Sequence, residues 1–266
     1  LVFVAYPLVY SIYISFHKVK IALDGSGLAY EFVGLENFKY AFIRDNIYPI
    51  ELLNFAREML IIVPITVIFA LLVALLLNQR FRGRLLFRAL FFLPVIFASG
   101  QVLLELSSQG QGAIPFGGQY DVTEIVYDMF PVTVARTIMN VIAKFVIILW
   151  FSGVQVIIFL AAFQTISRST YEAAQIDGVT PWESFWKITF PAIVPFIVLN
   201  LIYTLVEQAT NPFNPVLKHI LSNMGKVETG FGYASAIGWI YSIIVLVPIG
   251  ILAFVMRRQN QRRWNR

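Results

Sequence analysis

Residues 60–77 read LIIVPITVIFALLVALLL, eighteen consecutive positions without Asp, Glu, Lys or Arg. A helix needs about 20 apolar residues to cross a bilayer, and this run comes close to that by itself. Backbone amides in hydrocarbon must bond within their own segment, so the run predicts a transmembrane helix; it lacks the alternation of a barrel strand. Phe145–Phe163 and Ala234–Met256 are uncharged in the same way. Apolar runs place six spans near 1–16, 58–77, 85–106, 139–163, 190–210 and 234–256. The first is short and is expected to be a helix trimmed at its start. Pro64, Pro94 and Pro248 lie inside spans and predict local kinks.

Composition agrees. The chain has 266 residues, 58% hydrophobic and 13% charged, whereas soluble domains carry about 25% charge. That is too little to coat a water-facing surface, which excludes a purely soluble protein. The net charge is +5, but in a membrane protein basic residues set orientation, so no nucleic-acid partner is expected. Cysteine is absent, which excludes disulfides, thiol catalysis and cysteine-ligated metals. His17 and His219 are the two histidines, so no metal site is expected. A phosphate-cradling GxxxxGK[ST] loop and a nucleophile–base arrangement are both missing. The chain therefore reads as a non-enzyme with no cofactor of its own.

Lys and Arg mark the sides of the membrane. Arg80, Arg82, Arg84 and Arg88 fall in 78–88, Arg168 and Lys187 in 168–190, and Arg257, Arg258, Arg262, Arg263 and Arg266 in the tail. The much longer opposite segments (17–54, 107–132 and 211–233) hold only Lys18, Lys20, Lys39, Arg44, Lys218 and Lys226. Positive-inside puts the first group, and both termini, in the cytoplasm. Segment 17–54 is then external and is expected to form a small cap, while 107–120, rich in Gly and polar residues, reads as an exposed loop.

The loop between the fourth and fifth spans, 168–195, reads RSTYEAAQIDGVTPWESFWKITFPAIVP. Ser169 or Thr170 is suited to cap a helix through Ile176, with Glu172 in its first turn. Gly178 suits a positive-φ break, and Pro181 suits the start of a second helix bearing Trp182, Phe185, Trp186 and Ile188 on one face. Such a helix–turn–helix knob suits docking into a groove on another protein. An amphipathic helix lying on lipid is the alternative.

Glu172-Ala173-Ala174, Gly178, Ile188 and Phe190-Pro191, at this spacing, resemble the "EAA" loop of permease subunits of ATP-binding-cassette importers, with Phe190 where Leu is usual. YPLVYSIYISF (6–16), FVGLENF (32–38) and NQRFRGRLLFRALFFLP (78–94) are similar to the carbohydrate-uptake branch, closest to the first permease of maltose and glycerol-phosphate importers. The resemblance implies an all-α membrane protein, a single permease domain over 1–266 with six transmembrane helices and a cytoplasmic coupling helix between helices 4 and 5. It implies that Glu172, Ala173, Ala174, Asp177 and Gly178 couple the chain to an ATPase. The implied partners are a second homologous permease, two cytoplasmic ATPase subunits that use ATP and Mg, and an extracytoplasmic solute-binding protein. The implied location is a bacterial cytoplasmic membrane. Local capping is the alternative role for Asp177.

Polar residues at membrane depth are the place to look for substrate contacts. Asn200, Tyr203, Thr204, Glu207 and Asn211 share one helical face of the fifth span. Ser235, Trp239 and Ser242 do so in the sixth, and Arg136, Asn140 and Lys144 in the fourth. Sugars need amides, carboxylates and hydroxyls for their hydroxyl groups and an aromatic plate for their C–H faces. Asn140, Lys144, Asn200, Tyr203, Glu207, Asn211 and Trp239 are the candidate pathway residues, with Glu207–Lys144 as an intramembrane ion pair. Interhelical hydrogen bonding is the alternative for each. The function expected is a permease subunit of an ATP-driven sugar or oligosaccharide importer. The alternatives are a self-contained carrier or channel, and an importer of a non-sugar solute such as glycerol phosphate.

Overall fold

A computed structural model describes residues 2–21, 27–79, 81–97, 122–226 and 229–264. Helices dominate: α1 Val2–Ser15, α2 Glu36–Ile43, α3 Tyr48–Asn78, α4 Arg84–Phe97, α5 Val122–Met129, α6 Val132–Phe151, α7 Gly153–Gln164, α8 Arg168–Ile176, α9 Pro181–Ser184, α10 Phe190–Ala209, α11 Pro215–Met224 and α12 Gly230–Trp264. Among the described residues, three helical stretches are long and apolar enough to cross a membrane: Tyr48–Asn78, Pro181–Ala209 and Gly230–Arg258. They coincide with the second, fifth and sixth expected spans. The first expected span corresponds to the shorter apolar helix α1, and α4 is described as far as Phe97. The exposed loop read at 107–120 and the third span beyond position 97 lie outside the described residues.

The fourth span is divided at Ser152 into α6 and α7. Ser152 is buried, its hydroxyl donates to the Leu149 carbonyl at 2.9 Å, and its own N–H bonds the same oxygen at 3.3 Å. A serine that turns back on its own backbone, followed by Gly153, weakens the α-helical ladder.

The all-α expectation misses one element. Segment 17–54 opens with an antiparallel hairpin, β1 His17–Ile21 and β2 Leu28–Phe32, in register His17↔Phe32 through Ile21↔Leu28. Lys18 and Lys20 alternate with His17, Val19 and Ile21, and His17 and Val19 are buried. Five residues at period 2 are too short to stand out beside runs of eighteen.

The chain forms two compact units, residues 1–60 with 205–266, and residues 61–204. In the first, Ala41, Tyr48, Leu52, Ala209, Val216, Tyr233, Ile237, Tyr241 and Val245 form one core. Its buried hydroxyls are bonded within it: Tyr48 to the Ile237 carbonyl at 2.8 Å and Tyr241 to the Ala209 carbonyl at 2.6 Å. In the second, Val67, Ala70, Val73, Ala74 and Leu77 of α3 pack with Val156, Phe159, Ala162 and Phe163 of α7 and Ile193 of α10. Lipid is as apolar as leucine, so close packing of small residues replaces the hydrophobic drive of a soluble core; Ala70, Ala74 and Ala162 are fully buried.

In the first unit, the start of α12 lies directly on β1. A Cβ added at Gly232 would sit 1.9 Å from the His17 carbonyl oxygen, whereas one at Gly238 meets nothing within 4 Å. Gly232→Ala is therefore expected to destabilise the protein by about 1–3 kcal/mol through overpacking. Gly238→Ala should be neutral or stabilising by up to about 1 kcal/mol. Thermal inactivation of the two variants in detergent tests this close approach, and equal midpoints would refute it.

Candidate functional site: an exposed knob and the polar helix faces

The knob is built from local signals. Ser167, rather than Ser169 or Thr170, caps α8, accepting the Thr170 N–H at 3.3 Å; Ser169 and Thr170 instead lie in the first turn, within hydrogen-bond reach of the Ser167 hydroxyl. Gly178 ends the turn at φ +74°, with no atom within 4 Å of where a Cβ would be, so its requirement is conformational and not one of space. Thr180 and Glu183 form a reciprocal capping box with Pro181 at the first position of α9. From there the helix runs through a π turn, Phe185–Thr189, into α10, so the second knob helix is continuous with the fifth span.

Glu172, Ala173, Asp177 and Gly178 are exposed, while Ala174 is buried beneath them. Glu172 holds Arg168 of its own helix at 2.9 Å. Both partners are well exposed, so the pair is weak and open to exchange. The Asp177 N–H bonds the Ala173 carbonyl at 3.1 Å, so Asp177 is the C-cap of α8. Ile176, Trp182 and Trp186 are exposed on the same knob, the two indoles meeting edge to face.

Residues of the polar faces differ in burial and in their partners. Asn200 and Thr204 are fully buried. Gln155 of α7 donates to the Thr204 hydroxyl at 3.0 Å, Thr204 donates to the Asn200 carbonyl at 2.8 Å, and the Asn200 amide reaches the Gln155 carbonyl at 3.5 Å. These residues join α10 to α7, which is the packing alternative for Asn200. Asn211 does not continue the stripe: α10 ends at Ala209, and the Asn211 side chain accepts the Phe213 N–H at 2.9 Å in a turn. Tyr203 and Glu207 are half-buried on α10. Trp239 is half-buried on α12, its indole N–H donating to the Ser11 hydroxyl of α1 at 3.1 Å. Arg136 is exposed on α6, and Ser242 bonds the Gly238 carbonyl at 2.8 Å. Asn140 and Lys144 lie on α6, but their side chains, and so the Glu207–Lys144 pair, fall outside the described residues.

A cluster that sequence reading missed surrounds Asp45. Its carboxylate accepts hydrogen bonds from the Tyr233 hydroxyl, from His219 Nε2 at 2.8 Å, and from the backbone N–H groups of Ile47 and Tyr48 at 2.9 and 3.0 Å. Glu51 lies 3.8 Å from His219 Nδ1. Burial by itself would raise the Asp45 pKa, but the bonds from Tyr233, Tyr48, Ile47 and His219 outweigh it and hold the pKa at about 2. One signal was present in the sequence: an aspartate three residues before Tyr48, in capping position for α3. The partners Tyr233 and His219 come from far along the chain.

Long uncharged helices define a multi-pass helical membrane protein. Residues 51–211 match the model of binding-protein-dependent transport system inner membrane components, and the chain belongs to that family. It is 28% identical to the "Probable ABC transporter permease protein YesP" of Bacillus subtilis, over 96% of this chain and 84% of that one. It is 27% identical to the lactose transport system permease protein LacF of Rhizobium radiobacter, over 98% and 90%. The fold is shared, at TM-score 0.60 and 21% identity, with a chain of a bacterial alginate ABC transporter crystallised in complex with an alginate pentasaccharide-bound periplasmic protein; the match covers 97% of this chain and 89% of that one.

A carboxyl group held at a depressed pKa contributes stability that is present above its ordinary value, near 4, and is lost as pH falls toward about 2. Asp45→Asn should lower the thermal midpoint at pH 7 and flatten its decline between pH 5 and pH 3. Parallel pH profiles for variant and wild type would show that Asp45 does not carry this dependence.

Proposed function

We propose that the chain is a membrane-spanning permease subunit of an ATP-driven importer of carbohydrate, either a sugar or an oligosaccharide. It forms half of a pathway that a second homologous permease completes. One permease domain over 1–266 crosses a bacterial cytoplasmic membrane six times, with both termini in the cytoplasm, where its basic residues concentrate. Segment 17–54 faces outward and receives substrate from an extracytoplasmic binding protein. Family membership and sugar-transporting relatives support this reading.

The observation that carries the coupling role is the knob itself. It is a capped helix of nine residues with exposed Glu172 and Ala173, stopped by a left-handed glycine and followed by a second helix that runs without a break into an apolar one. In this reading 168–190 is the cytoplasmic loop between spans 4 and 5, and it fills a cleft on one of two ATPase subunits. Glu172, Ala173, Asp177 and Gly178 form the contact, with Ala174 packed beneath them. ATP and Mg are bound by those subunits, and ATP-driven closure pulls the knobs together and turns the pathway outward. Glu207 is an acceptor and Tyr203 and Trp239 are aromatic plates for the sugar. Asn140 and Lys144 contribute from the fourth span, and Asn200 and Asn211 shape the wall.

Asp tolerates the left-handed region better than most residues, so Gly178→Asp should keep the turn while adding bulk and charge to the docking face. ATPase co-purification and uptake of labelled lactose and oligosaccharides should both fall by about tenfold, the equivalent of ~1.4 kcal/mol of lost contact. Wild-type values for both would sink the coupling assignment. Uptake by the purified chain alone in liposomes without ATP would establish the carrier or channel alternative instead.

A further inference from the structure

We propose that a hydrogen bond between Tyr171 and Thr189 is the strut that passes movement of α8 into the fifth membrane helix, which makes these two side chains positioning residues of the coupling apparatus. The proposal rests on reading α8 as the helix held by the ATPase. The Tyr171 hydroxyl lies 2.8 Å from Thr189 Oγ1, and Thr189 is buried while Tyr171 is half-buried.

Two features of this chain make that contact more than incidental packing. First, a threonine on a helix ordinarily turns its hydroxyl back on the carbonyl three or four residues earlier. Thr137, Thr204 and Thr210 do so here, bonding Thr133, Asn200 and Val206 at 3.0, 2.8 and 2.9 Å. Thr189 bonds instead to a side chain of another helix. Second, Thr189 closes the π turn Phe185–Thr189, in which the Phe190 N–H bonds the Phe185 carbonyl five residues back. One extra residue in a turn rotates the faces on either side by about 100° relative to one another. The widened turn, the unusual threonine partner and the start of the apolar helix thus coincide at one position.

The mechanical need is visible in the connection between the helices. The backbone link from α8 to α9 is a hydrogen-bonded turn at left-handed Gly178, whose N–H bonds the Gln175 carbonyl at 3.1 Å while the Val179 N–H bonds the Ala174 carbonyl at 3.0 Å. Both bonds close the end of α8, and neither reaches α9. The Tyr171–Thr189 bond closes the loop from the other side, between side chains eighteen residues apart. Beyond it, Phe185 and Trp186 pack on Phe190 with ring centroids 6.2 and 5.0 Å apart, bracing the π turn against the first turn of α10. A displacement of α8 is thereby transmitted to α10 as a rigid movement instead of being absorbed at Gly178.

The test uses the assembled importer with its ATPases, second permease and binding protein. Because this chain contains no cysteine, Leu199→Cys, at an exposed position of α10, supplies a single reporter in the fifth span. Its labelling rate with N-ethylmaleimide, with and without MgATP and vanadate, reads the movement of that helix. Tyr171→Phe and Thr189→Val should each keep assembly and ATPase rate near wild type while shrinking the MgATP-driven change in labelling by about three- to tenfold, the range expected for one lost hydrogen bond. Combining them should add little further loss, and Thr189→Ser, which keeps the hydroxyl, should restore the change. A full labelling change in both single variants overturns the strut, as does a loss that tracks reduced assembly alone. A benzophenone attached at Gln175→Cys in the otherwise unaltered chain separates the two levels. Failure to capture the ATPase there overturns the coupling reading and the strut with it. Capture together with a normal labelling change in Tyr171→Phe overturns only the strut.

Discussion

Hydrocarbon offers no hydrogen-bond partners, so every polar group carried into it must find one within the protein. That constraint explains the long uninterrupted helices α3, α10 and α12. It also explains what happens to polar side chains along them. Gln155, Asn200 and Thr204 bond one another and nearby backbone, and the hydroxyls of Tyr48 and Tyr241 end on carbonyls of neighbouring helices. Where the ladder does break, as at Ser152, the serine hydroxyl takes up a carbonyl of its own turn. Polar residues in the spans are thus first of all structural, and a substrate path must be built from those with polar atoms left to offer.

The same rule relaxes outside the apolar stretches. Short elements gather there: the hairpin β1–β2, α2, α11 and the knob α8–α9. Each is set by ordinary local chemistry, such as Ser167 capping α8, the Thr180–Glu183 box and the left-handed Gly178. The knob therefore keeps its own shape with most of its surface exposed, and its second helix runs on into α10. The Asp45 cluster ties the start of α3 to α11 and α12 through buried ionisable groups.

Much of this was legible in the chain. Long uncharged runs located the principal helices because length and polarity decide membrane insertion almost residue by residue. Gly178 and Pro181 were readable for a similar reason, since each has one conformational role that few residues share. The hairpin was hidden because five residues at period 2 carry little signal. Asn211 was misplaced because a helical stripe was extended past the end of its helix, where the Asn–Pro–Phe–Asn–Pro sequence turns the chain. The contribution of Asp45 was legible only in part: the backbone N–H groups of Ile47 and Tyr48 are local, but Tyr233 and His219 come from far along the chain.

The sequence by itself determined what kind of solvent the protein meets, where its main helices run and which loop carries the knob. These follow from composition and from spacing along one strand of chain. Only the tertiary structure decided which polar residues of a shared face are buried between helices and which stay partly accessible. Asn200 and Tyr203 share a helical face in the sequence, yet one is buried against Gln155 and the other is half-exposed. Thr189 is an unremarkable threonine until folding sets Tyr171 beside it. Hydrogen bonds are short-ranged and directional, so their partners are chosen by packing in three dimensions and leave no period in the sequence.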